Sequence, residues 1–227
     1  MEFVYPVSNY LQSLTLRAFA DWQVTGRENV PPLGPLIIVA NHQSNIDPPL
    51  LSTSIPRRIT FLAKKGIFKG PVASWYLRSY GAFPLDREGF DIRAYRWALS
   101  QLERSQAIVI FPEGTRSRGG MKKARPGVAK LALMTQASLL PVGITGTARL
   151  GSILRVFNPT GKIRVNIGMP FSIPTIEGKP GDEVVNSLAD MIMQRVALQL
   201  PATHQGVYRI KARQAAAMDD GGSSPST

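Results

Sequence analysis

Apolar side chains at Val4, Val7, Leu11, Leu14 and Ala18 recur at helical spacing, and Phe3, Tyr5, Tyr10, Phe19 and Trp22 thicken the stripe. The pattern predicts an amphipathic helix over residues 3–22. An aromatic-rich stripe suits a helix lying in a bilayer interface, where rings sit at headgroup level. It equally suits a helix packed on its own domain, because a stripe does not name its partner. Pro31-Pro32 and Gly34-Pro35 then break any helix. Short β-rich apolar runs follow at Leu36–Ala40, Ile59–Ala63, Ala107–Phe111, Leu139–Ile144 and Lys162–Ile167. Helical periodicity lies between them at 91–104 and 126–137, and after them at 182–200. Pro48-Pro49 opens a further helix with Asp47 as its expected N-cap. Strands alternating with helices predict an α/β fold, a mostly parallel central sheet flanked by helices. The expected division is an amphipathic N-terminal helical segment over 1–31, a main domain over 32–212 and a disordered Gly/Ser-rich tail over 213–227.

Composition narrows the chemistry. The 227 residues suffice for one core of ordinary size. No cysteine is present, so disulfides, thiolate metal sites and cysteine nucleophiles are excluded. Two histidines, His42 and His204, make a multi-histidine metal centre an unattractive reading. No apolar run reaches the ~18 to 20 residues of a spanning helix, and the N-terminus lacks a signal-peptide layout. The net charge of +12 favours anionic partners: nucleic acid, acidic lipid or phosphorylated substrates.

Three polar clusters sit just past predicted strand ends: Asn41 to Asp47, Lys64-Lys65, and Glu113 to Arg116. In open α/β sheets, ligands bind beyond the carboxyl ends of the strands, so the clusters converge on one site. His42 and Asp47 are five residues apart and meet only if the chain turns between them. An aspartate on one imidazole nitrogen fixes the tautomer and leaves the other as a general base. The plainer reading is a backbone-bonded histidine beside a helix cap. In the second cluster Gly114 permits a sharp turn, Thr115 offers a hydroxyl, and Arg116 can fork onto a phosphate. Glu113 fits a bare phosphate pocket poorly, so it is expected to bond substrate hydroxyls or orient Arg116. A region at Gly81 to Arg87 adds Arg87 as another candidate phosphate ligand. The basic run Arg116, Arg118, Lys122, Lys123 and Arg125 contains no aromatics, unlike single-strand nucleic-acid platforms. It suits anionic lipid, a cofactor phosphate or plain solvent.

In this order the clusters resemble the glycerolipid acyltransferase family. Its Asn-His-x4-Asp block is matched by Asn41, His42 and Asp47, and its Phe-Pro-Glu-Gly-Thr-Arg-Ser block by Phe111 through Ser117. Two looser blocks correspond to Gly81–Arg87 and Leu140–Ile144, with Pro84 departing from the usual apolar residue. The resemblance implies acyl transfer from acyl-CoA or acyl-carrier protein to the sn-2 hydroxyl of 1-acyl-sn-glycerol-3-phosphate, giving phosphatidic acid. His42 would be the base and Asp47 its orienting partner. Arg87, Arg116 and Lys64 (or Lys65) would hold the acceptor phosphate, with Glu113, Gly114 and Thr115 shaping its pocket. No metal or further cofactor is implied, and no acyl-enzyme. The family's N-terminal helical segment favours the interfacial reading of residues 3–22, on the cytoplasmic face of the membrane against anionic lipid. Glycerol-3-phosphate, a lysophospholipid or a glycolipid are alternative acceptors. A nucleic-acid binder finds no supporting signature, and a non-catalytic membrane adaptor is disfavoured by the intact His42 and Asp47. Oligomeric state is open.

Overall fold

The computed structural model describes residues 3–86, 89, 91–178 and 180–209. Arg87 and the 213–227 tail lie outside the described residues. The chain runs α1 (Val4–Phe19), β1 (Ala20–Thr25), β2 (Leu36–Ala40), α2 (Asp47–Ser54), β3 (Ile59–Lys64), α3 (Gly70–Ser79) and β4 (Ala82–Leu85). It continues through α4 (Ile92–Glu103), β5 (Ala107–Ile110), α5 (Gly127–Thr135), β6 (Ser138–Thr145), β7 (Gly161–Ile167) and α6 (Asp182–Ala197). The described strands form one sheet in the order β1-β7-β6-β2-β5-β3-β4. Pairing is parallel throughout except between β6 and β7. The fold is therefore α/β with a mostly parallel sheet flanked by helices, as the alternation predicts.

All five residues of β2 are buried, because helices cover both faces of the strand. Leu36, Ile38 and Ala40 point into a core shared with Leu16 of α1 and Leu50 and Leu51 of α2. Ile37 and Val39 point the other way, to Ala98 and Leu102 of α4, Val128 of α5 and Val196 of α6. Each fully buried Leu or Ile contributes about 1.5 to 3 kcal/mol by leaving water.

The N-terminal segment departs from expectation in one respect. The helix stops at Phe19, and Ala20–Thr25 becomes a strand paired with β7, from Ala20↔Gly161 to Thr25↔Asn166. Residues within the expected 1–31 segment thus belong to the sheet of the main domain. The reason is a local switch of period: burial alternates along β1, with Trp22 and Val24 packed on the core and Asp21, Gln23 and Thr25 outside. Of the two orientations that the stripe left open, α1 takes the one with its apolar stripe turned largely away from the domain. α1 turns much of its polar face inward: Tyr5 Oη accepts from the Ile59 N–H, Asn9 Nδ2 donates to Ser52 O, Tyr80 Oη donates to Asn9 Oδ1, and Thr15 Oγ1 donates to Val156 O. Gln12 is buried with Leu16. The apolar residues Val7, Tyr10, Leu11 and Leu14 face solvent, Tyr10 and Leu11 being more than half exposed at 64% and 56%. The neighbouring α3 exposes Val72, Trp75 and Tyr76, and Tyr76 Oη lies 3.1 Å from Ser8 Oγ of α1. No described helix is long and apolar enough to cross a membrane.

Candidate active site

The sheet order determines which loops meet. β2 lies between β5 and β6, and these three strands are parallel. The segments that follow them therefore leave the same end of the sheet side by side. Asn41–Asp47 is flanked by Phe111–Ser117 on one side and by Gly146-Thr147 on the other.

Asn41 continues the ladder with its side chain. Past the last β2–β6 pair, its Nδ2 donates to Ile144 O (2.9 Å) and its Oδ1 accepts from the Ile144 N–H (2.7 Å). The next residue, His42, is gripped through its own backbone. Its N–H donates to Glu113 Oε1 at 3.0 Å, and its carbonyl accepts from the Ser117 N–H at 2.7 Å. Its ring stacks on Phe111 with centroids 4.3 Å apart. His42 Nδ1 lies 2.8 Å from Asp47 Oδ2, so the turn inferred between them is present.

Asp47 is fully buried, and it is not the N-cap of its own helix: α2 begins at Asp47 itself, with no side-chain cap bond. Its carboxylate reaches back instead. Oδ2 accepts from the backbone N–H groups of Gln43 and Ser44, each at 2.7 Å, besides facing His42. Oδ1 accepts from the Thr147 hydroxyl at 2.7 Å. A buried carboxylate is tolerated only when its lone pairs are satisfied, and here four donors converge on it. The helix N-terminus adds favourable positive potential. With Asp47 on Nδ1, the ring is set in the tautomer that leaves Nε2 available, and no described residue bonds Nε2.

Glu113 performs a role the sequence reading did not assign. It is 4% exposed, Oε1 accepts from the His42 N–H, and Oε2 accepts from the Lys122 N–H at 2.9 Å. The carboxylate is a strut between the histidine and the basic loop, and no described bond joins it to Arg116. Burial pushes its carboxyl above the usual range, against the pull of those two amides. Gly114 has φ +66, and a Cβ there would stand 2.6 Å from Arg125 Nε. Glycine takes this left-handed turn without strain and leaves room for Arg125 packed over it. Thr115 and Arg116 are exposed at the rim. Lys64 ends β3 and Lys65 follows it, both exposed, with Lys65 drawn to Asp86 at 4.0 Å. Arg87 falls outside the described residues.

The basic loop after Arg116 is tied down at its far end. Met121 is buried, its N–H donates to His204 O, and its carbonyl accepts from the Val207 N–H. Tyr208 Oη accepts from the Ala124 N–H and donates to Asp190 Oδ1, each at 2.8 Å. Sequence reading missed Tyr208 and Thr147. Thr147 carries a signal that could have found it: it lies just past the end of β6, as the other clusters lie past theirs. Gly146 before it has φ +88, and a Cβ there would overlap Lys162 O, so the dipeptide is shaped by close approach of β7.

The acyltransferase family model matches residues 21–145, a span that holds His42, Asp47 and Phe111 through Ser117. The chain belongs to the acyltransferase family. The crystal structure of the 1-acyl-sn-glycerophosphate (LPA) acyltransferase PlsC from Thermotoga maritima resembles this acyltransferase-family fold with a TM-score of 0.64. It shares 30% identity, and the match covers 82% of this chain and 76% of that one. The 1-acyl-sn-glycerol-3-phosphate acyltransferase of Streptococcus pneumoniae is 30% identical over 158 residues, 69% of this chain and 57% of that protein. The lyso-ornithine lipid O-acyltransferase of Pseudomonas aeruginosa is 34% identical over 116 residues, 50% of this chain and 44% of that protein. The chain thus spans little more than half the length of the streptococcal relative.

Removing the hydroxyl on Asp47 isolates one of its four donors. Thr147→Val keeps the shape and leaves Oδ1 of a buried carboxylate unpaired. Denaturant unfolding should show a loss of about 1 to 3 kcal/mol, with Thr147→Ser restoring most of it. A Val variant as stable as the wild type would mean that this bond does not support Asp47.

Proposed function

We propose that the chain transfers a fatty acyl group from acyl-CoA or acyl-carrier protein to the sn-2 hydroxyl of 1-acyl-sn-glycerol-3-phosphate, yielding phosphatidic acid. The observation that carries this reading is the His42–Asp47 pair at 2.8 Å, with Nε2 unbonded by described residues, inside the span that the acyltransferase family model matches. The acceptor hydroxyl oxygen attacks the thioester carbonyl carbon as its proton passes to His42 Nε2. Asp47 keeps Nδ1 protonated and stabilises the imidazolium. The tetrahedral oxyanion collapses, the carbon–sulfur bond breaks, and the thiolate takes the proton back from Nε2. The enzyme ends in its starting state with ester and free thiol as products.

Arg116 at the rim supplies a planar fork suited to a phosphomonoester. Lys64, the last residue of β3, adds charge at the same end of the sheet. Arg87 joins them in this proposal on the strength of its sequence block alone. Thr115 borders the same opening. Glu113 and Gly114 shape the pocket indirectly, by holding the backbone of His42 and the turn before Arg116.

The substrates are lipids, and the outward apolar faces of α1 and α3 fit a bilayer interface better than water. We therefore place the enzyme as a peripheral or monotopic protein on the cytoplasmic membrane face, its positive charge matched to anionic headgroups. A second acceptor reading, lyso-ornithine lipid, rests on the 34% identity to the Pseudomonas enzyme.

An acceptor panel with purified protein and an acyl donor tests the reaction. 1-Acyl-sn-glycerol-3-phosphate should give the highest kcat/KM among glycerol-3-phosphate, lysophospholipids, glycolipid and lyso-ornithine lipid. Arg116→Ala should lower kcat/KM for phosphomonoester acceptors by roughly 10- to 100-fold, through loss of a charge-assisted contact. Equal loss on neutral acceptors would contradict the phosphate role. Membrane seating is tested by Leu11→Glu with Leu14→Glu. Both positions are exposed, so unfolding stability should stay within about 0.5 kcal/mol while vesicle binding falls. Unchanged vesicle binding would dismiss α1 as the contact face.

A further inference from the structure

At the opposite end of the sheet from His42, a cavity of about 520 Å³ opens beside the first residues of β3 and β4. Its lining includes Arg58, Arg78, Arg104, Gln101, Thr60 and Trp97. Three guanidinium groups thus share one cleft, and no carboxylate is among the lining residues. The contrast with Arg57 is informative. Arg57 gives its donors to the carbonyls of Pro31, Gly34 and Ser105 and acts as a structural clamp. Arg58, Arg78 and Arg104 are exposed and make no side-chain hydrogen bond or ion pair with a described residue. Two of them lie over aromatic rings: Arg58 over Tyr5 at 4.9 Å and Arg78 over Phe68 at 5.7 Å.

Like charges gathered around a concave surface repel one another and raise the local potential. Nothing in the fold requires the gathering, since the three come from the α2–β3 loop, the last turn of α3 and the residue after α4. An anion entering the cleft would relieve the repulsion and meet forked donors, with Gln101 and the Thr60 hydroxyl beside them. The ring of Trp97, stacked on Phe83 at 4.7 Å, walls one side. Arg78 lies on α3 and Arg58 lies against Tyr5 of α1, the two helices whose outward faces are apolar.

We propose that this cleft is a phosphoryl-anion site separate from the acyl-transfer centre, taking either the phosphate of a membrane-lipid headgroup or a free phosphate. The site uses no residue of the His42 cluster and stands whether or not the acyl-transfer reading holds.

The experiment compares the full chain with two triple variants of equal net charge: Arg58→Gln/Arg78→Gln/Arg104→Gln in the cleft, and Lys130→Gln/Lys162→Gln/Arg209→Gln elsewhere. All six side chains are exposed, and matching thermal melts confirm folding. One arm measures co-sedimentation with phosphatidylcholine vesicles, alone or mixed with phosphatidylglycerol. The other follows the Trp97 indole N–H by NMR during titration with inorganic phosphate. If a lipid headgroup is the occupant, the cleft variant loses roughly tenfold or more of its preference for the anionic vesicles relative to the control, with neutral-vesicle binding unchanged. If free phosphate is the occupant, the Trp97 signal shifts in the wild type and control but not in the cleft variant. Equal behaviour of the two triple variants in both arms would overturn the proposal, leaving only diffuse surface charge.

Discussion

The candidate site depends on one buried carboxylate. Asp47 has no exposed surface, and its two oxygens gather an imidazole, two backbone amides and a hydroxyl. Such a group folds into place only if every partner arrives, because an unpaired buried charge costs more than any single contact returns. Satisfying Asp47 therefore fixes the path of residues 42–44, the rotamer and tautomer of His42, and the position of Thr147. The same requirement that keeps the charge tolerable also orients the imidazole with Nε2 left available. Glu113 repeats the device one strand away, with both oxygens on backbone amides.

Sheet topology makes this convergence feasible. Placing β2 between β5 and β6 sets three successive chain exits side by side, although the segments stand about seventy and one hundred residues apart in sequence. Gly146 lets β7 approach closely just before Thr147, whose hydroxyl meets Asp47. The His42 end of the sheet is crowded with mutually satisfied polar groups. The arginine cleft at the other end is the reverse case, with donors left over and no carboxylate to meet them. Outward apolar faces on α1 and α3 complete a division of the surface into a polar reactive rim, an apolar belt and a basic cleft.

Much of this was legible in the residues. The five apolar runs and the helices between them gave the α/β layering, because strands covered on both faces leave uninterrupted apolar stretches. His42 and Asp47 could be paired because a strand exit and a proline-opened helix bracket them. What escaped has physical reasons. β1 was read as the end of α1, since six residues alternating in burial carry little signal beside a sixteen-residue helix. The orientation of α1 was left open because a stripe reports amphipathicity but not which face finds partners. Here the domain supplies hydrogen-bond partners for Tyr5, Asn9 and Thr15. Asp47 was misjudged as a helix cap because its true partners include a hydroxyl a hundred residues away. Glu113 was expected to bond substrate hydroxyls or orient Arg116 because it fits a bare phosphate pocket poorly, and its two amide partners left no mark in the residues. The arginine cleft draws on three elements and leaves no motif.

The central claim is that Asp47 holds His42 as the base that activates the acceptor hydroxyl. The most direct measurement is single-turnover acyl transfer by His42→Ala, made alongside its thermal melt. The account predicts a fold that remains intact and a transfer rate reduced by roughly two to four orders of magnitude, the usual worth of a positioned general base. A folded His42→Ala protein that transfers acyl groups at the wild-type rate would contradict it.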